Sequence, residues 1–278
     1  MDYLEWNIDV NPREPWCEIL VAELSDAGFD GFVDTETGIQ AYIPEDSCIE
    51  NEIKNKINSL LSKEVRVGIS IKMIPHQNWN ANWESDFKPV FVEDKLTILA
   101  PFHTDVVAVG RTIIIQPQMS FGTGHHQTTW MMSKALMELN VVPPKVLDMG
   151  TGTGILAILA EQLGAKEILA IDIEEWSAQN AKENAGRNAC TNIITKHGDV
   201  DLIQGLEFGL IIANINKNVL KAQMSCYAKC CLRDGYLMLS GFFETDVEEM
   251  RLSAKQVDFE FVKLYAKESW AAILLKKN

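Results

Sequence analysis

The chain has 278 residues, with 25 Lys+Arg against 39 Asp+Glu for a formal net charge of −14, and is 47% hydrophobic and 23% charged. At roughly 100–200 residues per domain this length suggests two domains, and the near-average composition excludes wholesale disorder and collagen-like architecture. No apolar run approaches the ~18 residues of a membrane span, the opening MDYLEWNIDV lacks a secretory pattern, and the six cysteines lack C-x-x-C spacing, so a reduced, cytoplasmic protein without a metal site is expected.

Residues 1–76 carry 15 acidic and 6 basic side chains, a net −9, against −5 for the remainder. Such a surface attracts basic partners and repels phosphate backbones, so direct binding of nucleic acid is not expected. Tyr3–Ile8 reads as a strand. In 14–27, Trp16, Ile19, Leu20 and Leu24 recur at helical spacing until Gly28 stops the helix. Gly31–Asp34 and Gly38–Ile43 read as strands, Asp46–Leu61 as an amphipathic helix, and Val65–Ile74 as an alternating strand. This β-α-β-β-α-β order is that of a ferredoxin-like domain.

The stretch 77–92 changes character. Asn78-Trp79-Asn80-Ala81-Asn82-Trp83 is polar and aromatic without a clean period, and reads as a linker. Strands follow at Val90–Val92, Lys95–Ala100 and Thr112–Ile115, then an apolar helix over Trp130–Leu139. From Lys145 onward strands and helices alternate, the signature of a doubly wound α/β sheet over residues 93–278. Strands are expected at Lys145–Met149, Glu167–Ile173, Ile193–Lys196, Phe208–Ala213 and Tyr236–Ser240, with helices at Ile155–Leu163, Ala178–Asn188, and roughly 217–231 and 245–256. The last two strands, Glu260–Tyr265 and Ser269–Leu275, are too close for a crossover and must pair antiparallel.

Four places carry chemistry. In Val146–Ile155 a strand runs into Gly150, Gly152 and Gly154, which permit a tight turn and close approach of a ligand to the backbone. The spacing is G-x-G-x-G rather than the dinucleotide G-x-G-x-x-G, and no P-loop occurs. Asp148 precedes the turn. Asp172 ends the next strand, 22 residues after Gly150, where a carboxylate reaches the two hydroxyls of a nucleoside ribose. Ahead of the sheet, Met119–Thr129 is a loop with two glycines feeding Thr128 and Thr129 at a helix start, an anion-accepting arrangement in which Thr129 is the candidate ligand and helix capping by Thr128 or Thr129 the competing reading. Asn214 ends the fourth strand, where its amide can orient an amine or touch a cofactor, or else cap the following helix. Asp199 after the third strand suits an adenine amino group or a solvated turn equally.

Together these residues resemble a class I S-adenosylmethionine-dependent methyltransferase, and more narrowly the methyltransferase family of the large-subunit ribosomal protein L-eleven. The resemblance rests on FGTGHHQTT at 121–129, DMGTGTG at 148–154, AIDI at 170–173, ANI at 213–215, LSGF at 239–242 and FKPV at 87–90, and spans essentially the whole chain. It implies a ferredoxin-like substrate-recognition domain, a flexible linker and a seven-strand methyltransferase sheet with an antiparallel last strand. It also implies methylation of amino groups of that ribosomal protein, with cofactor contacts on Thr129, Gly150, Asp172 and Asn214, and weaker candidates at Asp148, Gly152 and Asp199. No catalytic base is identified. Asn214-Ile215-Asn216-Lys217 departs from the Asn-Pro-Pro-aromatic motif of many amino-group methyltransferases, and disfavours a planar amide or base as substrate. A methyltransferase for another basic protein, a nucleoside-cofactor oxidoreductase and a non-catalytic assembly module are the alternatives.

Overall fold

The computed structural model describes residues 2–61, 65–74, 84, 86–118 and 120–278. The Asn78–Trp83 stretch expected as linker lies outside the described residues, as does Met119. The chain forms two compact units, Met1–Asp86 and Phe87–Asn278.

In the first unit β1 (Tyr3–Asn11), β2 (Gly31–Asp34), β3 (Gly38–Pro44) and β4 (Arg66–Ile74) form one antiparallel sheet in the order β2-β3-β1-β4. Alternation along β1 turns Leu4, Trp6, Ile8 and Val10 inward and leaves Glu5, Asn7 and Asp9 on the opposite face. The inward set packs against Leu20 and Leu24 of α1 (Trp16–Asp26) and Ile53 and Ile57 of α2 (Glu50–Leu60). The helix expected from Asp46 is split: Glu45–Ser47 is a 3-10 turn, Cys48 is extended, and α2 begins only at Glu50. Glu50 and Glu52 then sit in the first helical turn, where the helix dipole favours acids.

The second unit begins with a three-stranded sheet, β5 (Val90–Val92), β6 (Leu96–Leu99) and β7 (Arg111–Ile114). After α3 (Gln127–Met137) comes the main sheet, built from β8 (Lys145–Met149), β9 (Glu167–Asp172), β10 (Ile193–His197), β11 (Phe208–Asn214), β12 (Cys231–Phe243), β13 (Phe259–Lys267) and β14 (Trp270–Lys277). Its order is β10-β9-β8-β11-β12-β14-β13. β8 to β12 run parallel, and β14 is antiparallel to both its neighbours. The sheet is covered on both faces. One core layer joins Met131, Met132 and Leu136 of α3 to Leu156, Ile158 and Leu159 of α4 (Ile155–Gln162) and Ala185 of α5 (Glu175–Arg187). The other joins Leu220, Met224 and Tyr227 of α6 (Lys217–Cys230) to Met250 and Ala254 of α7 (Val247–Lys255). The buried strands β8 and β11 are correspondingly apolar almost throughout. β12 is longer than expected, because the chain pairs with β11 from Cys231 directly after α6, with an irregularity between Phe208 and Leu210.

Candidate active site

The site is built where β8 hands the chain to α4. Gly150, Gly152 and Gly154 have φ of 74°, 56° and 83°, and space as well as conformation demands the first two. A Cβ on Gly150 would lie 2.1 Å from Cγ2 of Ile215, and one on Gly152 would lie 2.2 Å from the Phe121 carbonyl oxygen. The amides of Gly150 and Thr151 donate to the Ile171 carbonyl at 2.8 and 3.0 Å. Gly152 N–H donates to Oδ2 of Asp172 at 2.8 Å, and Glu174 N–H donates to Oδ1 at 3.0 Å. Asp172 is only 8% exposed, and each of its oxygens keeps a further lone pair for a ligand.

Asp148 lies beneath this loop, 1% exposed, accepting the Thr151 hydroxyl at 2.7 Å. Burial, assisted by the negative charge of Asp172, pushes its carboxyl up to about 7. The Ser120–Gly124 segment is held against the loop: Phe121 O accepts from Thr153 N–H at 2.9 Å, and Gly122 O from the Thr153 hydroxyl at 2.6 Å. A ladder of asparagines on α5 ties the same parts together. Asn184 donates to Thr153 O at 3.0 Å while its Oδ1 accepts Gln116 N–H at 2.9 Å, and Asn188 exchanges two bonds with Ile114.

At α3 neither threonine is the cap. His126 takes that place, its Nδ1 accepting Thr128 N–H at 3.2 Å with the Thr128 hydroxyl at 2.8 Å, so the helix starts at Gln127, earlier than the Trp130 expected. Thr129 thereby falls in the first turn. Its buried hydroxyl has no hydrogen-bond partner among the described residues. The FKPV segment meets the same loop, since His125 Nε2 lies 2.8 Å from Lys88 O and its ring 4.5 Å from that of Phe87.

Asn214 ends β11 beside Ser240 of β12, half-buried, with no side-chain hydrogen bond among the described residues. Asn216, not Asn214, caps α6, accepting Asn218 N–H at 2.9 Å. Asp199 is exposed and caps the 3-10 turn Val200–Ile203 by accepting Asp201 N–H at 3.0 Å. Asp148, Gly150, Gly152 and Asp172 are thus joined by one hydrogen-bonded network around the β8 and β9 ends, and Ile215 packs the Asn214 turn against Gly150. Ile215 and the asparagine ladder were not singled out from sequence. A groove of about 840 Å³ lies elsewhere, lined by Trp176, Gln179, Lys182 and Ile194. Among the described residues no group of His, Cys, Asp and Glu is arranged to hold a metal ion, and no helix is long and apolar enough to cross a membrane.

A mostly parallel sheet with helices on both faces, and a glycine cradle bonded to the acid that ends the neighbouring strand, defines a Rossmann-like methyltransferase. The family model of ribosomal protein L11 methyltransferase (PrmA) matches residues 22–278. Ribosomal protein L11 methyltransferase of Phocaeicola vulgatus is 38% identical over 98% of this chain and 98% of its own. That of Porphyromonas gingivalis is 40% identical over 98% of this chain and 97% of its own. The crystal structure of ribosomal protein L11 methylase from Lactobacillus delbrueckii subsp. bulgaricus superposes with a TM-score of 0.63 at 27% identity, covering 69% of this chain and 100% of that one. The chain belongs to the ribosomal protein L11 methyltransferase family.

Proposed function

We propose that the protein transfers methyl groups from S-adenosylmethionine to amino groups of ribosomal protein L11, on lysine side chains, the N-terminal amine or both. The observation that carries this reading is the glycine cradle bonded to Asp172, with the unpartnered Thr129 hydroxyl in a neighbouring helix turn. These groups suit a zwitterionic nucleoside cofactor. The Asp172 lone pairs would accept the ribose hydroxyls, the backbone of Gly150 and Gly152 would lie against the ligand where a Cβ has no room, and Thr129 would meet its carboxylate. Asn214 would orient the amine or the cofactor. Asp148 supports the loop from below, and Asp199 is left to its turn.

When bound, the cofactor supplies an electrophilic methyl group on a sulfonium. The incoming amine must be neutral, with its nitrogen in line with the carbon–sulfur bond it displaces. A free lysine has a pKa near 10.4, so about 4 kcal/mol separates the reactive form from the dominant one at neutral pH. Removal from water offsets part of that cost, and fixed proximity supplies much of the acceleration. His126 is not placed as a base: Thr128 takes its Nδ1 lone pair, so the neutral ring carries its proton on Nε2. Burial lowers its pKa and keeps it neutral.

Residues 1–76 are read as a ferredoxin-like domain that captures the substrate, the segment after them as a linker that stops short of the expected residue 92, because Val90–Val92 pair with β6 and Val92 is buried, and the rest as a seven-strand methyltransferase domain with an antiparallel last strand. A cytoplasmic location, with no direct contact to nucleic acid or membrane, belongs to the same reading. Incubation with radiolabelled S-adenosylmethionine and a ribosomal protein fraction tests it: label in L11 is expected, and a folded protein that binds cofactor but labels nothing would leave only an assembly role.

A further inference from the structure

Two large aromatic side chains stand exposed beside the cradle, Phe121 at 52% and Phe243 at 48%. They are not isolated. The Phe121 ring meets that of His126 edge-on at 5.1 Å, His126 meets Trp270 at 4.7 Å, and Trp270 lies against Phe243 at 4.3 Å. The chain of four rings is anchored to the cradle at both ends. The Phe121 carbonyl accepts Thr153 N–H and leaves no room for a Cβ on Gly152. At the other end, a Cβ on Gly241 would lie 2.1 Å from Ile215 O, and Ile215 itself fills the space over Gly150. Phe243 is two residues beyond Gly241, and Trp270 pairs with it across β12 and β14.

Single exposed apolar residues need no explanation, but four rings converging on the rim of one backbone cradle do. Ring faces attract cations. An amine approaching a sulfonium is largely a cation in water and becomes one again as its new carbon–nitrogen bond forms, the carbon–sulfur electron pair leaving on sulfur.

We propose that Phe121, His126, Trp270 and Phe243 form the wall that receives the substrate's aliphatic amine beside the cofactor's methyl group and stabilises the positive charge that develops on its nitrogen as the new bond forms. This rests on the methyltransferase reading and adds the residues that select the acceptor. A wall of rings, unlike a set of carbonyl acceptors, does not require N–H groups on the nitrogen, so it selects charge and alkyl character. His126, neutral and fixed as the cap of α3, serves here as a positioning ring between Phe121 and Trp270.

The test is the double variant Phe121→Leu/Phe243→Leu, with Phe121→Tyr/Phe243→Tyr as the ring-retaining control. The leucine variant should raise the KM for L11 about 5- to 30-fold, taking 1–2 kcal/mol for the lost cation–π contacts. Its Kd for S-adenosylmethionine, by calorimetry, should be unchanged, and the tyrosine variant should behave like wild type. Inhibition by Nε,Nε,Nε-trimethyllysine should exceed that by its neutral tert-butyl isostere in wild type, and the preference should vanish with leucine. Equal inhibition by the two compounds in wild type, no inhibition by either, or an unchanged KM in the leucine variant would overturn the wall. A wild-type protein that transfers no methyl group would instead sink the underlying reading.

Discussion

Gly152 donates its backbone N–H to the Asp172 carboxylate at 2.8 Å, across the ends of two adjacent strands. The bond makes Asp172 a brace of the cradle, beside its proposed contact with the ribose. Its removal should therefore be visible in stability as well as in binding. Asp172→Ala leaves a buried amide without its acceptor, and should lower unfolding free energy by about 1–3 kcal/mol in urea titrations. Cofactor affinity should fall about 10- to 150-fold, from the loss of charge-assisted hydroxyl contacts worth about 1.5–3 kcal/mol. Calorimetry returning an unchanged Kd alongside reduced stability would make Asp172 a brace alone.

Thr129 gives the opposite pattern. Because His126 caps α3 and the Thr129 hydroxyl is buried without a partner among the described residues, Thr129→Val removes an unsatisfied polar group without removing a cap. The variant should melt at the wild-type temperature or above it, by up to about 1–3 kcal/mol of stability. Cofactor binding should weaken, because the carboxylate loses its hydroxyl donor. A variant that loses stability and binds cofactor normally would show that the hydroxyl serves the helix.

Asp148 makes stability depend on pH. Its carboxyl is raised to about 7 in the fold by burial, so between about pH 4 and pH 7 the folded chain holds a proton that the unfolded chain has lost. Proton uptake on folding means stability falls as pH rises through that window, by up to about 4 kcal/mol for a shift of about 3 units. Asp148→Asn keeps an acceptor for the Thr151 hydroxyl and cannot ionise. Urea titrations near pH 5 and pH 8 should show a smaller loss in the variant than in wild type; an equal loss would place the ionisation elsewhere.

The same residues show what sequence could and could not convey. The period-2 alternation of Leu4, Trp6 and Ile8 and the apolar runs of β8 and β11 are direct consequences of one- and two-sided burial, so these strands were legible, although β1 continues through Val10 to Asn11, past the Ile8 at which it was expected to end. The glycine loop and Asp172 were legible because only glycine fits where Ile215 and Phe121 approach. The start of α3 was not, because the cap is a histidine rather than one of the residues usual at that position. The Asn180–Asn184–Asn188 ladder was hidden for a different reason: polar residues at helical spacing look like a solvated face, whereas Asn180 and Asn184 are buried and Asn184 and Asn188 hold neighbouring backbone. The aromatic wall joins Phe121, His126, Phe243 and Trp270 from three separate segments, which no local pattern brings together.

The last prediction divides labour between the two units. Met1–Asp86 closes its own core around Trp6, Leu20 and Ile57, while the cradle, Asp172, Thr129 and Asn214 all belong to Phe87–Asn278, with its own core layers. Residues 1–76 carry a net −9, a surface suited to a basic protein rather than to a small cofactor. A chain lacking residues 1–86 should therefore bind S-adenosylmethionine with nearly full affinity and fail to methylate L11. Circular dichroism and a cooperative melt must first show that the remainder is folded, since loss of both functions in an unfolded chain says nothing about recognition. In the full-length protein, association with L11 should slow as salt rises, because exposed charges are screened over about 8–10 Å at physiological ionic strength. Mixing experiments across a salt series measure that slope. A folded remainder that methylates L11 at the full-length rate, with association indifferent to salt, would refute the recognition role and leave the acidic surface serving solubility.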